Sequence, residues 1–310
     1  MSSVWTFDQW ASLEQRLRAA HRSPDGAARR AARKVLHAFS SSFFLVTRFL
    51  PAAKRAHVEL IYAAVRYPDE IVDTFDLTDA SRHALLDEWQ QHYESALELP
   101  DAAARRNSDI PWILCAFSEV VLTDRIPHEH YRAFLDAMRR DIPPTPFLTL
   151  EDLIDDYIYG SAIVVGYFLA HVYGTAPGAS MSEAYASASD LGIALQLTNF
   201  CRDVEEDRSR GRSYIPADLI SEHGLSRAIT LLAQAAEQRY DSALRTIDVF
   251  SADTRPAIRA CIDVYRMLNH RILNSGGEVR IRHSVPVVDK LGALPPSKYW
   301  RIPLAYMGAL

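Results

Sequence analysis

Apolar residues recur every three or four positions along nearly the whole chain, as in HALLDEWQQHYESALEL (His83–Leu99) and SRAITLLAQAAEQRYDSALRTI (Ser226–Ile247). That spacing lays one apolar stripe along an α-helix. Convincing strand-type alternation is absent, so the pattern predicts an all-α fold. Proline punctuates it where helices should end: Pro51, Pro100, Pro127, the run IPPTP from Ile142 to Pro146, Pro177, Pro216 and Pro295-Pro296. None of these opens a long linker and no solenoid-length repeat is present, so a single domain spanning 1–310 is expected.

Two segments, Asp155–Tyr173 and Ser187–Phe200, are apolar nearly all round, which places them in the middle of a helical bundle. Their small residues, Gly160, Ser161, Ala162, Gly166 and Gly192, either let neighbouring helices approach or leave room for a ligand. The longest apolar run, within Ser161–Gly174, is too short and too interrupted to span a bilayer.

Charge narrows the function classes. With 34 basic and 39 acidic residues the balance is mildly negative, which disfavours nucleic acid and anionic membranes as global partners. Three distant cysteines, Cys115, Cys201 and Cys261, argue against a disulfide framework and a thiolate zinc site. Together with an N-terminus that does not read as a secretory signal, they point to a cytoplasmic location.

Three pairs of aspartates stand four residues apart: Asp69/Asp73, Asp152/Asp156 and Asp203/Asp207. At that spacing two carboxylates share a helix face and can hold a hard cation such as Mg²⁺. Asp152 and Asp156 read as a solvated helix start after Thr149. The other two pairs are interleaved with arginine, in RYPDEIVD (Arg66–Asp73) and in NFCRDVEEDRSRGR (Asn199–Arg212). Carboxylates for a metal beside guanidinium groups for phosphate oxygens suit a metal-bound polyanion. The plainer alternative is exposed ion pairs on helix faces, each of little consequence. Against that alternative, Gln196, Asn199, Asp203 and Asp207 form one polar stripe running into an otherwise apolar helix, as a pocket wall would.

In these motifs, with SSSFFLVTRFLP, DYIYGSAIVVG and the GRSYIP continuation, the chain resembles the squalene and phytoene synthase family of head-to-head isoprenoid synthases. The resemblance covers roughly Ser40 to Leu291, a core 40–291 between an N-terminal helical segment, 1–38, and a tail, 292–310. It implies an all-α isoprenoid synthase bundle around a central active-site channel. It further implies that Asp69, Asp73, Asp203 and Asp207 bind Mg²⁺, or Mn²⁺ in its place, and that Arg66, Arg202 and Arg282 contact diphosphate. Tyr157, Gln196, Asn199 and Tyr265 would line the reacting centre, with Ser42 near the phosphate mouth. Glu70 stands where an aspartate is common, and Ser41 where the family often has a basic residue. Pro68 lies inside the first motif, where it is expected to bend its helix rather than start it.

The resemblance implies condensation of two prenyl diphosphates through a cyclopropyl diphosphate. The phrases VRYPDEIVDTF and YIYGSAIVVG favour phytoene from two geranylgeranyl diphosphates. The alternatives are squalene, dehydrosqualene or hydroxysqualene from farnesyl diphosphate, with NADPH needed only for squalene, and, from another class, a non-catalytic assembly or scaffold protein. Carbocations require a dry channel with aromatic walls, for which Phe43, Phe44, Tyr157, Tyr159 and Phe168 are candidates. The tail KYWRIPLAYMGAL (Lys298–Leu310) suits peripheral contact with the inner face of a membrane or a cap on the bundle, and downstream carotenoid enzymes are conceivable partners.

Overall fold

The computed structural model describes residues 5–19, 24–279 and 282–292. Every regular element among them is helical, and the β-type pairing they contain is an isolated bridge between Thr175 and Phe250. The first helix, α1 (Phe7–Arg18), is opened by Thr6, which exchanges hydrogen bonds with Gln9 in a capping box. Next come α2 (Pro24–Phe39) and the short α3 (Ser41–Thr47), whose first turn is capped by the Ser40 hydroxyl. Pro51 then opens α4 (Ala52–Asp73), the helix that carries the first acidic motif.

That helix runs through Pro68 without a break. Proline has no N–H to give the carbonyl four residues back, and an interior proline destabilises a helix by ~3 kcal/mol. The orphaned carbonyl is that of Ala64, and here it accepts a hydrogen bond of 2.7 Å from the Tyr131 hydroxyl. Tyr131 is fully buried, and its oxygen accepts in turn from Trp89 Nε1 at 2.8 Å. A tertiary contact thus replaces the missing rung.

Tyr131 belongs to α8 (His128–Arg140), reached through α5 (Asp79–Glu98), α6 (Ala102–Arg106) and α7 (Trp112–Asp124). Beyond the IPPTP turn, Thr149 caps α9 (Leu150–Leu153) in a second capping box, with Asp152 as its partner. Asp156 is exposed and paired with Arg140 at 3.2 Å, so the third acid pair is the solvated helix start expected of it. The chain then passes through a π-helical stretch, Ile154–Ile163, into α10 (Val164–Tyr173). The continuous helix Leu150–Tyr173 exceeds the apolar run read from the sequence and, by length and composition, is able to cross a membrane. Here it lies in the bundle, with Ile158, Val164 and Phe168 fully buried against protein.

The second acidic motif closes α11 (Met181–Ser209), which packs along α10, the π-helical stretch and α13 (Leu225–Arg245). Between α11 and α13 lies α12 (Ala217–His223), and α14 (Arg255–Asn274) and α15 (Val287–Gly292) complete the described chain. The tail Lys298–Leu310 and Pro295-Pro296 lie outside the described residues. Of the small residues, the glycines are close-approach points, and Ser161, Ala162, Gly166 and Gly192 also line an internal cavity. Cβ atoms added at Gly166 and Gly192 would lie 3.0 Å from the Ala188 carbonyl oxygen and 3.2 Å from that of Ala162. One hydrophobic cluster runs through the described elements from Trp5 to Val285.

Tyr131→Phe should destabilise the protein by about 1–3 kcal/mol, because it strands both the Ala64 carbonyl and the Trp89 indole N–H. Adding Pro68→Ala restores a backbone donor for Ala64 and should recover part of the loss in urea denaturation. Strictly additive effects of the two substitutions would show that the Tyr131 bond does not stand in for the missing rung.

Candidate active site

The C-terminal ends of α4 and α11 meet, and a cavity of ≈ 320 Å³ runs inward from them. Its outer wall includes Arg66, Asp69, Gln196, Asn199, Tyr157 and Tyr265, and deeper residues such as Val165, Leu191, Phe250 and Ile258 are apolar. Asn199 and Ser187, both on the wall, are separated by three turns of α11, about 18 Å along its axis. A polar mouth on a long apolar bore suits a ligand with a charged head and an extended hydrocarbon tail.

Arginines stand between the acids at this mouth. Arg66 bonds Asp69 at 2.5 Å and pairs with the fully buried Glu70, while its guanidinium lies 4.5 Å over the Phe39 ring. Across the mouth, Arg202 and Arg282 both bond Asp203, at 2.8 and 3.0 Å. Arg210 and Arg212, in the turn that follows α11, reach back to Asp73 on α4. These two ties join the acidic segments directly.

The acids remain crowded despite their partners. Burial raises the Asp69 pKa, with Arg66 opposing and the nearby Asp73 carboxylate adding to the rise. Asp207 is pushed up to about 7 by burial and by repulsion from Asp203 and Asp73. Burial opposes the charge on Arg66 and Arg212, yet their carboxylate neighbours hold both pKa values above the usual arginine value. Burial also pushes the Tyr265 phenol up to about 12.

Among the described residues, no three acidic, histidine or cysteine side chains form a ready-made metal cage. Guanidinium groups stand on Asp69, Asp73 and Asp203 instead. The donor set nonetheless fits Mg²⁺, which takes one or two carboxylates and completes its shell with water and substrate phosphate. Asn199 Oδ1 and Ser161 Oγ, on the cavity wall, and Glu70 Oε2 are buried without hydrogen-bond partners, so the mouth has polar capacity to spare.

The sequence expectations sort unevenly. Asp69, Asp73, Asp203, Asp207, Arg66, Arg202, Arg282, Gln196, Asn199, Tyr157 and Tyr265 gather at or just inside the mouth. Ser42 is not on the cavity wall; Ser40, which caps α3, is there instead. Among the aromatic candidates, Phe43 and Tyr157 line the cavity. Tyr159 is 42% exposed on the outer side of its helix, Phe44 is buried against Leu36, and Phe168 packs against Phe117 and Tyr131 in the core.

Arg212, one of the arginines interleaved with the second acid pair, reaches Asp73 at the mouth. Tyr214 and Asp141, behind the cavity wall, were not singled out beforehand; Tyr214 lies in the GRSYIP continuation, so adjacency to the acids was its signal. Asp141 had none, because its partners, Tyr157 and Tyr214, are distant in sequence. Lys290 on α15 stands close enough to Arg202 for that charge, after burial, to lower its pKa. It brings a further cation to a mouth where Ser41 supplies none.

The fold and the cavity define the class: an all-α isoprenoid synthase bundle with an ionic mouth over an apolar bore. The chain belongs to the squalene/phytoene synthase family, whose model matches residues 36–291, and the members of that family are prenyltransferases. It is 28% identical over 270 residues to the 15-cis-phytoene synthase of Enterobacter agglomerans, covering 82% of this chain and 90% of that one. Over 207 residues it is 32% identical to phytoene synthase 3, chloroplastic, of Zea mays, covering 66% and 46% of the two chains. Among solved structures, a dehydrosqualene synthase bound to a ligand superposes with a TM-score of 0.75 at 20% identity, covering 92% of this chain and 98% of that one. Squalene synthase HpnC from Alicyclobacillus acidocaldarius gives 0.69 at 20% identity, covering 85% and 99%. At that identity the likeness to solved structures establishes the fold.

Crowding at the mouth has a measurable sign. The raised Asp207 pKa means that the folded chain binds this proton more tightly than the unfolded chain, so stability falls as pH rises from about 4 to about 7. Asp207→Asn should therefore raise the stability of the ligand-free protein at about pH 8 by roughly 0.5–2 kcal/mol. At about pH 5 the gain should shrink. A lower urea midpoint for Asp207→Asn than for the unaltered protein at the higher pH would mean that the arginines already over-compensate the acids.

Proposed function

We propose that this protein condenses two prenyl diphosphates head to head, and that its product is phytoene, formed from two geranylgeranyl diphosphates by way of a cyclopropyl diphosphate. The observation that carries the reading is the junction of the apolar bore with two facing acidic segments interleaved with arginine. The choice of phytoene rests on the named phytoene synthases among the relatives, which match at 28% identity over most of the chain.

In this reading Asp69, Asp73, Asp203 and Asp207 would hold Mg²⁺, which when bound supplies charge neutralisation for a departing diphosphate. Arg66, Arg202 and Arg282 take diphosphate oxygens through their planar forks, and Lys290 adds a point charge beside Arg202. The carboxylates they now pair with are thereby released toward the metal. Gln196 and Asn199 orient the substrate head with uncharged groups. Phe43, Tyr62 and the apolar wall exclude water from the cationic chain and turn electron-rich ring faces toward it. A hydrocarbon product with no diphosphate is insoluble in water, which suits release toward a membrane or a downstream enzyme.

The deciding assay incubates purified protein with geranylgeranyl diphosphate and Mg²⁺, with and without NADPH, and analyses the hydrocarbon extract. Phytoene should form without NADPH, and Asp203→Ala should lower turnover by roughly 100-fold or more, as expected when charge stabilisation at the leaving group is lost. Turnover of farnesyl diphosphate alone would move the product to the squalene type, and turnover of neither would remove the enzymatic reading.

A further inference from the structure

Asp141 follows the last turn of α8 and is 7% exposed. One of its oxygens, Oδ2, accepts two hydrogen bonds, from the Tyr157 hydroxyl at 2.5 Å and from the Tyr214 hydroxyl at 2.8 Å. The two phenol oxygens are themselves 3.3 Å apart. Each phenol has one hydrogen, and each gives it to the same carboxylate, so neither is left to donate to the other. Tyr214 is clamped by stacking on Phe200, with ring centroids 4.2 Å apart, and on Tyr157, 5.1 Å away.

Of the three, Tyr157 lines the cavity, whereas Asp141 and Tyr214 stand behind it. Tyr157 is carried by the π-helical stretch, a geometry found often at functional sites. On its far side the cluster approaches the mouth, because the charge of Arg212 acts on Asp141 while its guanidinium pairs with Asp73.

We propose that Asp141 is a positioning residue for catalysis: it holds the Tyr157 hydroxyl with its hydrogen turned away from the cavity, so that the reacting chain meets only oxygen lone pairs and ring face. This rests on the functional reading above, in which positive charge develops on a hydrocarbon in the bore. A hydroxyl hydrogen aimed inward would repel that charge, whereas a fixed lone pair stabilises it without reorganisation. The ionised carboxylate is required because it only accepts; burial raises the Asp141 pKa, and the Arg212 charge and the two phenol hydrogen bonds oppose that rise. An asparagine at the same place could donate to Tyr157 and let its hydrogen swing into the cavity.

The experiment is a double-mutant cycle on turnover of geranylgeranyl diphosphate with Mg²⁺, using Asp141→Asn, Tyr157→Phe and both together. Asp141→Asn is expected to lower kcat by about 10- to 100-fold, with KM changed less than about threefold. The double variant should be no slower than Tyr157→Phe alone, within about twofold, because Asp141 acts through that hydroxyl. Multiplying losses would overturn the proposal, as would a rise in KM without loss of kcat. If Asp141→Asn does not fold, Tyr157→Phe, which removes only the hydroxyl, decides it: an unchanged kcat overturns the proposal. A readout on ligand-free protein separates this inference from the reading beneath it. The hydroxyl proton of Tyr157 should give a slowly exchanging NMR resonance that Asp141→Asn shifts or removes. Persistence of that resonance overturns the proposal by itself, whereas absence of prenyl diphosphate turnover in the unaltered enzyme overturns the functional reading and the catalytic role of Asp141 with it.

Discussion

The hydrogen bond from the Tyr131 hydroxyl to the Ala64 carbonyl is where a conflict between local chemistry and site geometry is resolved. Arg66, Asp69 and Asp73 must project from one unbroken helix to face α11, yet Pro68 sits among them and removes a rung. Supplying that rung from α8 keeps α4 helical to its end. It also ties the first acidic segment to the Trp89 and Tyr131 layer of the core. The placement of a charged surface therefore depends on a buried polar contact farther back on the same helix.

Electrostatics shapes the mouth in the same reciprocal manner. Four aspartates drawn together repel one another, and burial first, with that repulsion added, raises the Asp69 and Asp207 carboxyls. Arg66, Arg202, Arg210, Arg212 and Arg282 take Asp69, Asp73 and Asp203 into separate ion pairs and so favour their approach. The same arginines carry planar forks that pair with phosphate oxygens as well as with carboxylates.

How much of this was readable beforehand follows from the range of each interaction. The all-α fold was legible because amphipathic periodicity repeats in every helix. The aspartates of α4 and α11 were legible because each pair, with its arginines, lies within two helical turns. Asp141 was not, since its role exists only when α8, the π-helical stretch and the turn after α11 come together. Tyr159 and Phe168 were named for being aromatic in an apolar segment, and residue type does not say which flank of a helix faces the cavity: Tyr159 is exposed and Phe168 packs in the core. Ser42 was named through the resemblance alone; of that serine run it is Ser40, the cap of α3, that stands on the cavity wall.

The π-helical stretch also makes segment length a conserved quantity in the mechanical sense. Removing one residue from a regular α-helix would turn everything beyond it by about 100° and draw it back by about 1.5 Å. Between Leu153 and Val164 such a change would swing Gly166 off Ala188 and Phe168 out of the core while leaving composition almost unaltered. Substitutions on the exposed flank of the same stretch, at Asp155 or Tyr159, disturb neither. The exposed flank of this stretch is therefore tolerant of changes in identity, whereas its buried side, with Tyr157, Ile158 and Gly160, is not. The stretch as a whole is intolerant of changes in count, the reverse of what is usual for a surface loop.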